Sequence, residues 1–158
     1  MPTTEPSPAR VTADAGVLAA DLLVGGPART ALDHVREHSW LTLVASDHLL
    51  DDAAAVIRNL GDADLARDWR ERVERERDPV SHPASDHPAL ASAYRGGAMQ
   101  LLTLDDSLLS ATAGAAIRGR VETSPRHPRA FVALFDAESL YREVVGGDYP
   151  GPDCDPRA

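Results

Sequence analysis

WLTLVASDHLLDDAAAVIRNLG, residues 40–61, decides the fold class. Residues 40–45 are an unbroken apolar run, the pattern of a strand in a parallel sheet covered on both faces. Ser46 follows as a helix cap, and Leu49, Leu50, Ala53, Val56, Ile57 and Leu60 recur at helical spacing until Gly61 ends the segment. A buried strand leading straight into an amphipathic helix is the repeating unit of an α/β fold.

The same alternation extends in both directions. Upstream, RVTAD (10–14) predicts a strand, residues 16–24 a helix with Val17, Leu18, Leu22 and Leu23 on one side, and Pro27 opens a second helix through His38. Downstream, residues 62–77 predict a highly charged helix with a narrow stripe of Leu65, Trp69 and Val73, and DPVSHPAS (78–85) a loop. A helix to Arg95, a strand at 98–103, a helix at 106–117, a strand at 120–124 and one or two closing helices over 128–145 complete the pattern. Residues 1–9 are expected to be a disordered arm and 146–158 a flexible tail, which leaves one domain over 10–145. The prediction is a three-layer α/β/α sandwich with a central parallel sheet, its site beyond the carboxyl ends of the strands.

Composition narrows the chemistry. All 16 basic residues are Arg, so Schiff-base and phosphate-loop lysines are excluded. Cys154 is the one cysteine, so the chain has neither a disulfide pair nor a zinc-binding cysteine set. The net charge is −9, with 17 Asp against 8 Glu. That balance suits the interior of an organism with high internal salt, such as a halophilic archaeon, and codon bias in a GC-rich genome explains the missing Lys equally well. It argues against a broad nucleic-acid groove, although at about 1 M salt the screening length falls to roughly 3 Å. The opening MPTTEPSPAR has no signal-like apolar region and no segment approaches a membrane span, so a cytoplasmic protein is expected.

Four aspartates fall where such a fold would place the mouth of a metal site: Asp14 after a strand, Asp52 on the helix after Ser46, Asp86 heading a helix, and Asp105 after another strand. Asp14, Asp86 and Asp105 each precede a helix, where aspartate also serves as a cap. Helical phase places Asp52 at the edge of the apolar face and Asp51 toward solvent. A carboxylate bordering a core needs a partner, which here is an Arg or a cation. Thr103 and Ser46 are candidates for positioning ligands or water, and both are also ordinary strand-end and cap residues. His34 and His38 lack the spacing of a zinc site and read as a surface pair, His82 and His87 as exposed loop residues, and Arg67, Arg70, Arg72, Arg75 and Arg77 as a solvated face.

These segments resemble the PIN-domain family of metal-dependent ribonucleases from about Arg10 to Phe131. RVTADAGVLAADLL is similar to the family's opening strand with its acidic end, and SDHLLDD to its serine-led, acid-bearing helix. DHPALASAYRGGAMQLLTLDDSLL resembles the acid-headed helix, glycine turn, strand and Thr-x-Asp-x-x-Leu-Leu ending. RVETSPRHPRAFVALF is similar to the final strand and helix. The resemblance implies that Asp14, Asp52, Asp86 and Asp105 hold a divalent metal and are the catalytic residues. The chain departs from the pattern at Ala15-Gly16, where the family has Thr-Asn, and at Asp106-Ser107, where it often has another placement of an accessory acid.

Oxygen-only ligands select Mg²⁺ or Mn²⁺, and clustered carboxylates without metal are expected to raise one another's pKa. The implied activity is endoribonucleolytic hydrolysis of RNA phosphodiester bonds. The implied partners are an RNA substrate, an antitoxin protein and a second copy in a homodimer, with no membrane. The alternative is a PIN-like RNA-binding or scaffold protein that has lost turnover.

Overall fold

The computed structural model describes residues 4–110 and 123–158. Its elements in chain order are β1 (Ser7–Ala13), α1 (Ala15–Leu23), α2 (Gly26–Arg36), β2 (Thr42–Ser46), α3 (Asp47–Leu60), α4 (Ala63–Glu76), β3 (Arg77–Val80), α5 (Pro88–Gly96), β4 (Ala98–Leu102), α6 (Asp106–Leu109), β5 (Ser124–Arg126), α7 (Pro128–Leu134) and α8 (Ala137–Val144). The five strands form one parallel sheet in the order β3-β2-β1-β4-β5, flanked by helices, consistent with the expected three-layer sandwich.

Burial explains the layers. Leu43, Val44, Ala45 and Ser46 are buried in succession, because β2 is covered on both faces. One apolar cluster joins Val44 to Ala93 on α5 and Ala98 on β4. The larger one joins Val11 and Ala13 to Leu18, Leu32, Leu50, Ile57 and Trp69 of α1–α4. Among the described residues no helix is long and apolar enough to cross a membrane.

The turn at Gly96-Gly97 sets how closely α5 lies on the sheet. A Cβ on Gly96 would come within 2.1 Å of Val44 Cγ1, and Gly97 closes the helix in the left-handed region at φ +68 with its N–H on the Ala93 carbonyl. Val44 is fully buried and β-branched, so it cannot turn aside. Gly96→Ala is therefore expected to lose about 1–3 kcal/mol in urea denaturation, with part of the loss recovered in a Gly96→Ala/Val44→Ala double variant. Equal stability of Gly96→Ala and wild type would refute the contact.

Several boundaries differ from the sequence expectation. β1 begins at Ser7, inside the expected arm, with the Ser7 N–H on the Gly97 carbonyl at 2.9 Å. Part of the expected loop is strand: β3 pairs Arg77–Val80 with Leu43–Ser46 at the sheet edge, where Pro79 is tolerated because an edge strand need not donate every N–H. Arg10 on β1 pairs with Asp78 and donates to the Gly96 carbonyl at 2.6 Å. α6 covers Asp106–Leu109, and residues 111–117 of the expected helix lie outside the described residues, as do 120–122 of the expected strand, which is seen as Ser124–Arg126.

The segment after α8 folds back on the end of α2. Asp153 and Cys154 donate to the Glu37 carbonyl at 2.9 and 3.0 Å, and Arg157 grips Asp33 through two bonds of 2.8 Å. Partial burial opposes ionisation of Asp33, but its hydrogen bonds from Arg157 and Arg36 prevail and hold its carboxyl below the ordinary range. A depressed folded pKa stabilises above the unfolded value, so this anchor is retained above pH 3.8 and lost as the pH falls through the lowered pKa.

Candidate functional site

Strand order reverses at β1: β2 and β3 lie on one side of it, β4 and β5 on the other. The crevice beyond the carboxyl ends of β1 and β4 is thus the topological switch point, where α/β sheets bind ligands. Asp14 and Thr103 follow those two strands directly, and Asp105 stands two residues farther on.

The three residues are joined by hydrogen bonds. Thr103, fully buried, donates its hydroxyl to Asp14 Oδ2 at 3.1 Å, and the same Oγ1 accepts the Asp105 backbone N–H at 3.0 Å. Asp14 Oδ1 caps α1 by accepting from the Ala15 N–H at 2.8 Å, and the Asp14 N–H reaches the Leu102 carbonyl. Asp105 caps α6: its Oδ1 accepts from the Ser107 hydroxyl at 2.7 Å and the Ser107 N–H at 2.9 Å. Ser107, one of the departures from the PIN pattern, thus orients the carboxylate beside it.

Those bonds also set the charge. The Ser107 hydroxyl first, then its N–H, hold the Asp105 carboxyl below the ordinary range. At Asp105 this runs against the expected elevation: local donors dominate at an exposed carboxylate.

The other two aspartates stand differently. Asp52 is exposed rather than tucked against the core edge, because the buried face of α3 is made by Leu49, Leu50, Ala53 and Ile57. Val56 is only partly buried and Leu60 is 74% exposed, so the buried arc is narrower than the apolar spacing implies. Asp51, expected to point away, pairs with Arg70 of α4. Asp86 is exposed in the turn before α5, and His87, not Asp86, is the cap, accepting the Leu90 N–H at 3.4 Å. Among the described residues no group of three or more His, Cys, Asp or Glu side chains could hold a metal ion.

A second polar cluster stands at the end of β2. Ser46 caps α3 through the Leu49 N–H at 3.1 Å, lies 2.8 Å from His82 Nε2, and donates its own N–H to Ser92 Oγ at 3.1 Å. His82 Nδ1 faces the Pro83 carbonyl at 2.9 Å. A carbonyl only accepts, so Nδ1 carries the proton and Nε2 accepts from the Ser46 hydroxyl. His82 is buried, not an exposed loop residue, because β3 carries the chain along the sheet edge beside β2, and the His48 ring lies tilted against it with centroids 5.2 Å apart. Periodicity gave no signal for this pairing; Ser46 at a strand end was its one visible half.

The other expected groups are structural. His38 is buried, between the His34 carbonyl at 2.7 Å and the Tyr149 hydroxyl at 2.6 Å, and both histidines pack in an aromatic cluster with Trp40 and Phe135. Arg70 and Arg77 are tied up by Asp47, Asp51 and Glu74.

The carboxylates of Asp14 and Asp105 are hard oxygen donors of the kind Mg²⁺ takes together with water and substrate phosphate, whereas the Thr103 hydroxyl is already engaged by Asp14 and by the Asp105 N–H. Asp14 and Asp105 are the residues that would hold such an ion, with Thr103 orienting the Asp14 carboxylate.

No curated protein and no solved structure matches the chain. A family model matches residues 5–157, and the chain belongs to that family, DUF7384, a family of unknown function.

Proposed function

We propose that the chain is a divalent-metal-dependent endoribonuclease of PIN type, acting at the switch-point crevice. The observation that carries this is the hydrogen-bonded series Asp14, Thr103 and Asp105 at the carboxyl ends of β1 and β4. Bound Mg²⁺ or Mn²⁺ would supply an activated water and stabilise charge on the leaving oxygen. The chain's own contribution is positional. Thr103 fixes the Asp14 carboxylate from a buried site, and Ser107 keeps Asp105 ionised and aimed. Arg126 on the adjoining strand holds Thr103 in place, its carbonyl accepting the Thr103 N–H at 3.0 Å while its own Nε donates to Gln100 Oε1 at 3.0 Å.

A second possibility is an RNA-binding or scaffold protein without turnover. It is favoured by the absence, among the described residues, of any group of three or more His, Cys, Asp or Glu side chains that could hold a metal ion. Labelled single-stranded RNA incubated with the full chain in Mg²⁺, Mn²⁺ or EDTA separates the two. Cleavage in metal and none in EDTA supports the nuclease; RNA binding with no cleavage in either metal refutes it in favour of the scaffold.

Asp105 gives an independent check on the apo protein. In chelator Asp105→Ala is expected to melt below wild type, because the cap and both Ser107 bonds are lost, whereas Asp105→Asn keeps an acceptor and melts close to it. If Asp105→Ala melts like wild type, the capping geometry is wrong.

A further inference from the structure

The end of the sheet opposite the switch point holds a cavity of about 550 Å³. α1 starts at the carboxyl edge with the Asp14 cap and runs to the amino edge, where Leu41 leads into β2 and the last turn of α4 leads into β3. The cavity lies there, between α1, α2 and α4, and its volume is that of a small-molecule site. We propose that it binds a small amphipathic organic anion, a carboxylate with an apolar body. The proposal is independent of the nuclease activity.

Apolar and charged groups divide the lining, and the charged ones include the acids Asp21, Glu76 and Asp155 as well as arginines. Leu18, Leu22, Leu32, Trp69 and Val73 offer side-chain surface to an aliphatic or aromatic body. Three arginines of the helices line the same space, and they differ in what already neutralises them. Arg36 is saturated, with two bonds of 2.8 Å to Asp21 and two more to Asp33. Arg29 donates from Nε and Nη2 to the carbonyls of Asp21 and Leu22 at 3.0 and 3.1 Å, and no carboxylate pairs with it among the described residues. Its Nη1 is left with donors to offer. Arg72 meets Glu76 through Nε at 3.1 Å and keeps 38% of its side chain exposed.

In a chain of net charge −9, an arginine at a cavity wall without an acid is an open position for an anion. A bare inorganic anion is the poorer fit, since it would leave the apolar part of the lining, Leu22 included, without a partner. Residues 154–158 form the outer wall, pinned by Arg157 on Asp33, so the folded-back segment helps to enclose the site.

Titration calorimetry on the full chain tests this with three probes: octanoate, inorganic phosphate and octanol. Octanoate is expected to bind one per chain and more tightly than either of the others. Arg72→Gln and Arg29→Gln should each weaken it by roughly tenfold, the worth of a charge-assisted hydrogen bond, while replacing the exposed Arg129 of α7, Arg129→Gln, should not. Arg29 also caps the carbonyls of α1, so Arg72→Gln keeps the test meaningful if Arg29→Gln unfolds. No saturable octanoate binding overturns the proposal. So does phosphate or octanol binding as tightly as octanoate, or octanoate affinity unchanged in Arg72→Gln.

Discussion

Asp14→Asn is expected to lower metal-dependent RNA cleavage by roughly a hundredfold or more, since even outer partners of a metal ligand are worth about 10- to 100-fold. The substitution is selective because the two oxygens of Asp14 have separate duties. Oδ1 accepts the Ala15 N–H as the α1 cap, and asparagine caps as well as aspartate. Oδ2 faces the Thr103 hydroxyl, which can accept from an amide as readily as donate to a carboxylate. The variant should therefore fold and melt near wild type while losing the negative charge at the crevice. Thr103→Val is expected to act in the same direction, because it leaves Asp14 unheld and the Asp105 N–H without its acceptor. Exposed Asp52 and Asp86 should matter less, each falling by under about tenfold on replacement by Asn. Wild-type cleavage by Asp14→Asn in Mg²⁺ and Mn²⁺ would remove the crevice as the site.

The parts of this architecture that follow period and capping were legible in the chain. Residues 40–61 announce a doubly covered strand and an amphipathic helix, and β2 and α3 are buried accordingly. The parts that depend on tertiary contact were not. Four residues with a proline cannot signal a strand until an edge is available to pair with, so β3 read as loop. Helical phase alone placed Asp52 against the core, but the width of a buried arc depends on which neighbour covers it, and here Leu60 is left in water. At the crevice, strand ends and Asp caps marked Asp14 and Asp105, whereas the buried threonine between them was visible only as an ordinary strand-end residue. His82 was hidden for the same reason as β3, since the chain that buries it is the chain that the edge strand positions.

Asp21→Ala should be the most destabilising of the charge changes, by about 3–5 kcal/mol, or a fall of roughly 6–20 °C in melting temperature. Asp21 on α1 and Arg36 on α2 meet through two bonds of 2.8 Å, with side chains only 10% and 13% exposed. Truncating Asp21 leaves a largely desolvated guanidinium with only Asp33 to neutralise it, and Asp33 is shared with Arg157. Asp51→Ala is the control: it breaks a pair with Arg70 whose acid is 64% exposed, and exposed pairs are typically worth under about 1 kcal/mol. Salt should widen the contrast. At about 1 M the screening length is near 3 Å, which erodes the Asp51 effect and leaves the buried pair largely unscreened. Replacing both partners, Asp21→Leu with Arg36→Met, should recover much of the loss, because no charge is then stranded. Urea denaturation of the four proteins at low and high salt measures each step. Equal effects of Asp21→Ala and Asp51→Ala would show that the pair between α1 and α2 is no better buried than one on the surface of α4.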